Sequence, residues 1–493
     1  MATMRQMAQF EMGVVFAALL CVQALHAEEQ PSYRVIPLPV PSHVILEVTG
    51  LTAIGDGKVA AATRRGEVWI VHNAYDNPPR ALRFSRFAYG LHEPLGLVQV
   101  DNAFFVTQRT ELTRIRDRDQ DGEADEYITV AKGWGVTGNY HEYAYGPRLD
   151  RAGNFWLTLN IGMDKNALGP HTWRGWGIRV SPRGRITPVC AGMRSPCGLG
   201  ANADGDMFYT DQQGRWFGTN GLFHLQQGAF YGHPESLRAE DLLNSDVVAP
   251  KKLPEGKTVA EVARLVPSYR LPAVWFPYEK VGRSVTDIAC DQTGGRYGPF
   301  SSQLFVGGFV HSEVFRVALE KVRGEYQGAC FRFLSGFQAG IVRLAWGEDG
   351  SLFAGETNRG WNSRGTRSYG LERVVWTGRE LFAVRTVRAR SDGFLIEFTS
   401  ALDVESAARK TNYSLKSYTY TYHSRYGSPE VDTRQLAVTR ARVSQDRMRA
   451  RIEVDGLREG YVHELDLRAL RSAQGHELDH GCAYYTLNRI PSP

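Results

Sequence analysis

The strongest constraint on this chain is a pattern that repeats. An apolar lead-in, a Gly/Asp/Asn turn and short alternating segments occur in LTAIGDGKVAAATRRGEVWIV (51–71), LGLVQVDNAFFVTQRTELTRI (95–115) and YGPRLDRAGNFWLTLN (145–160). The pattern returns in GLGANADGDMFYTDQQGRW (198–216), FSSQLFVGGFVHSEVFRV (300–317) and VRLAWGEDGSLFAGETN (342–358). Alternating apolar and polar residues between turn formers make strands. Copies roughly 45 to 55 residues apart have the length of a four-stranded blade. The step across 234–286 is longer and carries an insertion at about 235–280. A blade buries its faces only against its neighbours, so six copies predict a closed six-bladed β-propeller over residues 31–380. The ring is expected to be shut by a strand from residues 31–49. A chain with 51 glycines and 11% aromatics suits such an all-β, turn-rich fold.

Within the insertion, SLRAEDLLNSD and KTVAEVARLV read as short amphipathic helices, and LPAVWFPYEK as a Pro-punctuated aromatic loop. Such an excursion serves as a lid, a partner surface or a packed decoration. From residue 384 to 489 the pattern changes to evenly spaced strands with Asp/Gly/Ser turns, which predicts an immunoglobulin-like or fibronectin-like β-sandwich. SYTYTYHSRY puts Tyr418, Tyr420 and Tyr422 on one face of a strand. Exposed, the stripe would stack on sugar rings; buried, it is core, and core is the expectation.

Charge and cysteines narrow the function classes. A net charge of +5 without a long basic run gives no nucleic-acid footprint. Residues 1–27 read as a signal peptide, with Arg5 as the basic start, Met12 to Leu25 as the apolar stretch and Ala27 at the cut. The mature protein is therefore expected in the periplasm or outside the cell. No other segment reaches the ~20 apolar residues of a membrane span. Cys190, Cys197, Cys290, Cys330 and Cys482 remain after the leader, an odd number, and Cys190 with Cys197 is the candidate disulfide of an oxidising compartment. There is no C-x-x-C-H for haem and no C-x-x-C of zinc spacing.

Two stretches carry candidate chemistry. In NYHEYAYGPRLDRAGNFWLTLN (139–160) a histidine, His141, stands at the entrance of a strand, where propeller loops converge on one mouth. A neutral imidazole there can take a proton from a hydroxyl, although Glu142 next to it points to the opposite face of an extended chain. The second stretch is AGMRSPCGLGANADGDMFYTDQQG (191–214). Together they resemble the soluble pyrroloquinoline-quinone sugar dehydrogenases and the related sorbosone dehydrogenases, and still more the bacterial propeller dehydrogenase-like proteins that lack a haem domain. The resemblance covers about residues 40–378, and FYGHP (230–234) is similar to the family's N-Y-G-W-P.

The resemblance implies that His141 is the base and Arg194, in GMRSPCGL, activates the quinone. It implies that Gln212 contacts the cofactor and that the carbonyls of Gln213 and Gly214 hold calcium. It further implies a carbohydrate or small polyol as substrate and an external electron acceptor. A cation and an arginine beside a quinone would stabilise charge developing on reduction. The chain also departs from the family. Tyr140 stands where the family has Asp, Ser195 where it has Asn, and Val310, with His311 beside it, where it has Lys. Of two late arginines only Arg343 remains, displaced by one position. A tricarboxylate cofactor with so few cationic partners would bind weakly.

DRDQDGEAD (117–125) is a D-x-D-x-D-G calcium loop, with Asp117, Asp119 and Asp121 alternating, Gly122 at the turn and Asp125 in ninth place. Ile128 replaces the twelfth-position Glu and the flanks look like strands, so the reading is a calcium that pins a hairpin, against an empty acidic turn. Glu356, Asn358, Arg359, Trp361 and Arg364 follow the sixth copy and suit an acidic or ring-shaped ligand, or simply close a loop. The sequence thus predicts an exported sugar or aldose dehydrogenase-like propeller. The alternatives are a non-catalytic carbohydrate- or cell-surface-binding propeller that has lost its cofactor, and a His-based hydrolase or lyase.

Overall fold

The computed structural model describes residues 31–162 and 172–493; the leader expected at 1–27 lies outside them. Six four-stranded antiparallel sheets follow one another along the chain, each formed from consecutive strands except the last. Blade 1 is built from Val48–Ala53, Val59–Thr63, Val68–His72 and Arg83–Ala88, and blade 2 from Leu97–Val100, Ala103–Thr107, Glu111–Arg116 and Glu126–Lys132. Ala144–Leu149, Phe155–Leu159, Trp176–Val180 and Ile186–Ala191 form blade 3. Blade 4 comprises Gly198–Ala201, Met207–Asp211, Asn220–His224 and Val274–Phe276, and blade 5 Val285–Cys290, Leu304–Gly308, Glu313–Val322 and Glu325–Ser335. Blade 6 takes Ile341–Trp346, Leu352–Thr357 and Tyr369–Trp376 from late in the chain. Its fourth strand is Tyr33–Pro37, which pairs Val35 with Val374. That early strand shuts the ring, as the sequence requires of a propeller.

First strands of neighbouring blades pack on one another all the way round, including the sixth on the first. Threonine hydroxyls also fasten neighbouring blades to one another. Thr158 donates to the Pro196 carbonyl (2.7 Å), Thr210 to that of Thr286 (2.8 Å) and Thr286 to that of Ile341 (2.8 Å). The approach is too close for side chains: a Cβ on Gly198 would lie 2.0 Å from the Thr286 carbonyl oxygen.

A buried arginine, Arg343, and a half-buried one, Arg148, fill the axis. A register slip between Ile341 and Arg343 re-aims the side chain of Arg343. Its guanidinium donates to the carbonyls of Thr49 (2.8 Å), Leu95 (2.7 Å) and Val342 (2.8 Å). Arg148 donates to the Leu199 carbonyl (2.9 Å) and pairs with Asp287 at 2.6 Å. The cavity beside them holds about 10 Å³, too little for an organic ligand.

Residues 384–487 form two further four-stranded sheets around a common apolar core that includes Val387, Ile396, Leu415, Leu465 and Tyr485. The strand orders are Val384–Arg390, Gly393–Phe398, Arg449–Val454, Val438–Val443 and Cys482–Leu487, Tyr461–Asp466, Ser414–Thr419, Val431–Leu436. This second sheet is continuous with blade 5: Glu325–Ser335 pairs with Cys482–Leu487 through Ala329 and Tyr485, making eight strands. Sharing the ladder removes an open edge from each partner.

Three expectations change. VWF in LPAVWFPYEK is the buried outer strand of blade 4 rather than loop, because the insertion precedes it and returns the chain to the sheet. The inner strand of blade 5 is Val285–Cys290, upstream of the fifth repeat copy. Cys190 and Cys197 do not pair, and all five cysteines of the described residues are free thiols. Cys190 packs inside blade 3 against Gly177, whereas Cys197 lies by Arg343 in the axis.

Tyr418, Tyr420 and Tyr422 are buried. They face blade 4 and the insertion, where Tyr422 donates to the Gly232 carbonyl (2.6 Å) and Trp275 lies 5.4 Å from Tyr420. The helix Val259–Leu265 starts at a Thr258–Glu261 capping box and buries Val259, Ala260 and Val262. The Val259 N–H donates to the Tyr420 carbonyl at 2.9 Å. The insertion is therefore the seat of the sandwich.

Candidate functional site

In each blade the first strand runs away from one end of the ring, which we call the mouth. Connections from second to third strands, and from a fourth strand into the next blade, open there. His141 precedes the first strand of blade 3, Arg194 precedes that of blade 4, and Gln212 to Gly214 follow the second strand of blade 4. All are mouth residues. The Asp117–Asp125 turn joins the third and fourth strands of blade 2 and belongs to the opposite end.

A single strand end holds the segments of His141 and Arg194. The Asn160 side chain donates to the His141 carbonyl (2.5 Å), and the next residue, Ile161, donates its N–H to the Arg194 carbonyl (3.2 Å). The half-buried His141 ring meets Tyr140 edge-on at 5.1 Å. Glu142 does not orient it: its carboxylate accepts from the N–H (2.6 Å) and hydroxyl (2.9 Å) of Thr137.

Arg194 is buried and is positioned by Asp211. The carboxylate accepts backbone N–H groups from Arg194 (2.8 Å), Ser195 (2.7 Å) and Gln212 (2.8 Å). Burial pushes Asp211 up to about 6 despite those donors and the arginine charge. Burial also lowers Arg194, which the negative Asp211 opposes. The arginine stem crosses Gly214, where a Cβ would stand 2.0 Å from Nε. His233, from FYGHP, is buried near the same charges. Burial, then Arg194 and Arg215, push it down to about 3, so its imidazole is neutral.

The remaining candidates have other engagements. Gln212 donates to the Val285 carbonyl (3.3 Å) and Gln213 to that of Gly218 (3.1 Å). The Gly214 carbonyl accepts two amides, from Phe217 (3.1 Å) and Gly427 (3.0 Å). Arg343 lies in the axis with its donors spent on carbonyls. His311 is buried between Glu313 (3.0 Å) and Glu279 (2.9 Å). Asp117, Asp119 and Asp121 bring ligand atoms within 4.8 Å of one another, while Asp125 accepts from the Arg118 N–H (2.9 Å).

Among the described residues, two loops roof the mouth. The 358–368 loop leaves blade 6 and reaches Arg64 of blade 1 through the Arg359 carbonyl (3.4 Å) and Val310 of blade 5 through the Arg364 N–H (2.8 Å). Arg64 also donates to Tyr140 (3.1 Å) and Tyr143 (3.0 Å). Burial would raise the Tyr140 hydroxyl, but the hydrogen bonds of Tyr143 and Arg64 prevail and hold it below its ordinary value. The second roof is the 423–428 loop of the sandwich, whose Tyr426 ring lies 5.5 Å from the Arg194 guanidinium carbon. Sequence reasoning missed His233, Tyr426 and the Arg64–Tyr140 pair. FYGHP was the one local signal among them.

Residues 74–283 match the family model "Domain of unknown function (DUF7133)". No curated protein matches the sequence. Among solved structures, a glucose dehydrogenase superposes with a TM-score of 0.51 at 16% identity, over 71% of this chain and 100% of that one. The chain has the fold of the sugar dehydrogenase propellers. The PQQ-bound aldose sugar dehydrogenase of Streptomyces coelicolor gives a TM-score of 0.47 at 14% identity, over 70% and 99% of the two chains. The soluble aldose sugar dehydrogenase of Escherichia coli in its apo-form gives the same four values.

Proposed function

We propose that this protein binds a carbohydrate at the propeller mouth and oxidises one of its hydroxyl-bearing carbons. The observation that carries this reading is the pinning of the His141 and Arg194 segments by the consecutive residues Asn160 and Ile161, on a ring of sugar dehydrogenase fold. His141 accepts the hydroxyl proton. Arg194 offers a buried positive charge to an anionic group at the mouth, and Gln212 orients the ligand. A quinone, when bound, would supply the two-electron acceptor, with an external acceptor completing turnover.

The fit to that cofactor is uneven. The calcium cradle implied at Gln213 and Gly214 does not fit, because the Gly214 carbonyl already accepts two N–H groups. Val310 brings no charge, and Arg343 spends its charge in the axis. These observations favour, as second reading, a carbohydrate- or cell-surface-binding propeller without catalysis. Calcium belongs in this proposal to the exposed Asp117–Asp121 turn, far from the chemistry. Residues 1–27 are proposed as an export signal to the periplasm or beyond, and the sandwich as immunoglobulin-like. No helix among the described residues is long and apolar enough to cross a membrane.

Reconstitution tests the reading. The protein lacking residues 1–27 is titrated with pyrroloquinoline quinone and calcium while a redox dye reports oxidation of aldoses. Saturable activity that disappears in His141→Ala supports oxidation. Sugar binding without quinone binding at micromolar concentration leaves the second reading.

A further inference from the structure

The 423–428 loop of the sandwich carries an exposed aromatic side chain, Tyr426. Its backbone is fixed to blade 4 at several points. The Gly427 N–H donates to Gly214 (3.0 Å), the Ser428 N–H to Gly218 (2.9 Å), and the Trp216 N–H to the His423 carbonyl (2.9 Å). Arg215 donates to the Ser424 carbonyl (3.3 Å), and both the N–H (2.8 Å) and the hydroxyl (2.6 Å) of Ser424 donate to Glu255. Gly427 has a φ of +62°, and a Cβ there would stand 2.8 Å from the Gln213 side chain. The bonded backbone and the missing side chain let the loop lie flat on the mouth.

Upon this fixed backbone the Tyr426 ring stays 64% exposed. It is not isolated. Its ring stands beside the Arg194 guanidinium, and at the next connection Arg283 lies 5.5 Å over Tyr278. Elsewhere on the mouth Tyr140 and Trp361 are also exposed. An aromatic face held rigidly next to polar donors suits a ligand with one apolar C–H face and hydroxyls at its rim, which describes a pyranose.

Resting on the carbohydrate reading above, we propose that the C-terminal sandwich supplies one wall of the propeller's site, with Tyr426 as the platform on which a pyranose ring stacks beside Arg194. Tyr426 is then a specificity-determining residue contributed by a second domain. The sandwich is part of the site rather than an appendage to it.

Saturation-transfer NMR on the protein lacking residues 1–27, with D-glucose, D-galactose and cellobiose as probes, tests this. At least one sugar is expected to bind. Tyr426→Ala should weaken its Kd tenfold or more, Tyr426→Phe should bind within twofold of the parent, and Tm should stay within about 2 °C in both, since the side chain is exposed. Equal binding by the parent and Tyr426→Ala overturns the platform while leaving a carbohydrate site elsewhere on the mouth. Loss in Tyr426→Phe as large as in Tyr426→Ala overturns stacking in favour of the hydroxyl. If none of the three sugars binds the parent, the carbohydrate reading fails and takes the platform with it.

Discussion

Asp211 of blade 4 and Glu356 of blade 6 occupy matching places near the ends of second strands, and each accepts N–H groups from the loop entering its own blade. Their surroundings differ. Asp211 receives three backbone donors and lies near Arg194. Glu356 receives one, from Ala339 (2.6 Å), its Oε1 has no hydrogen-bond partner among the described residues, and Glu372 lies beside it. Burial, followed by the negative charge of Glu372, raises Glu356 well above the ordinary carboxylate range. One position therefore holds a carboxylate that organises an arginine loop, and its counterpart holds an acid whose ionisation burial and Glu372 oppose. Neighbours, and not residue type, determine which side chain is charged.

The largest test of this contrast is Asp211→Ala. It strands three backbone donors and removes the negative charge of Asp211 beside Arg194, so we expect a loss of about 3–5 kcal/mol in urea unfolding. A loss below about 1 kcal/mol would mean that the three donors find other partners and that Asp211 does not organise the loop.

Gly214→Ala comes next. The added methyl would stand 2.0 Å from Arg194 Nε, and displacing the arginine is expected to cost about 1–3 kcal/mol. Binding of any anionic ligand at the mouth should fall with it. Unchanged binding would show that Arg194 is not part of the site.

A smaller effect is expected from Glu356→Gln, whose amide resembles the protonated acid. At pH 5 we expect a change under about 1 kcal/mol. A raised folded-state pKa gives stability that is fully present below about 4.5 and lost as pH rises through the folded value. Gln cannot ionise, so the variant should gain on the parent as pH rises, by at most about 1.4 kcal/mol per pH unit. A gap between the two curves that stays flat to pH 9 contradicts an upward shift of Glu356. In the parent, Asp211 should contribute in the same direction between pH 4 and its value of about 6.

The smallest is Asp119→Asn in the exposed turn. Without metal the change should stay within about 0.5 kcal/mol. If calcium occupies the turn, calcium should raise the Tm of the parent and have little effect on the variant. Identical calcium responses remove the metal from this turn.

Much of the ring was legible before any coordinates, because a strand that alternates between turns announces itself locally. The repeat copies at 51–71, 95–115, 145–160, 198–216 and 342–358 each lie on the first strands of a blade. The fifth copy marked later strands, because residues 291–303 separate the first strand of blade 5, Val285–Cys290, from its second, Leu304–Gly308. VWF was read as loop because the prolines around it are local signals, while its place as an outer strand depends on Asn220–His224 some fifty positions earlier. The candidate site was legible only as chain positions. His141 and Arg194 were named from the sequence, but their connection through Asn160 and Ile161 was not.

The sequence by itself determined the six-fold strand pattern, the closing strand near the N-terminus, the change of architecture at residue 384 and the buried fate of the tyrosine stripe. Periodicity and turn chemistry act between near neighbours, so they can be read one residue after another. Only the tertiary structure decided that Arg343 fills the axis, that Gly214 gives its carbonyl to Gly427, that Glu356 is pushed above the ordinary carboxylate range and that a sandwich loop stands over Arg194. Each of those outcomes depends on burial and on partners far away in the chain, as with Arg215 and Ser424, 209 positions apart. Distant partners leave no local pattern, and the energy of a buried charge is set by what surrounds it.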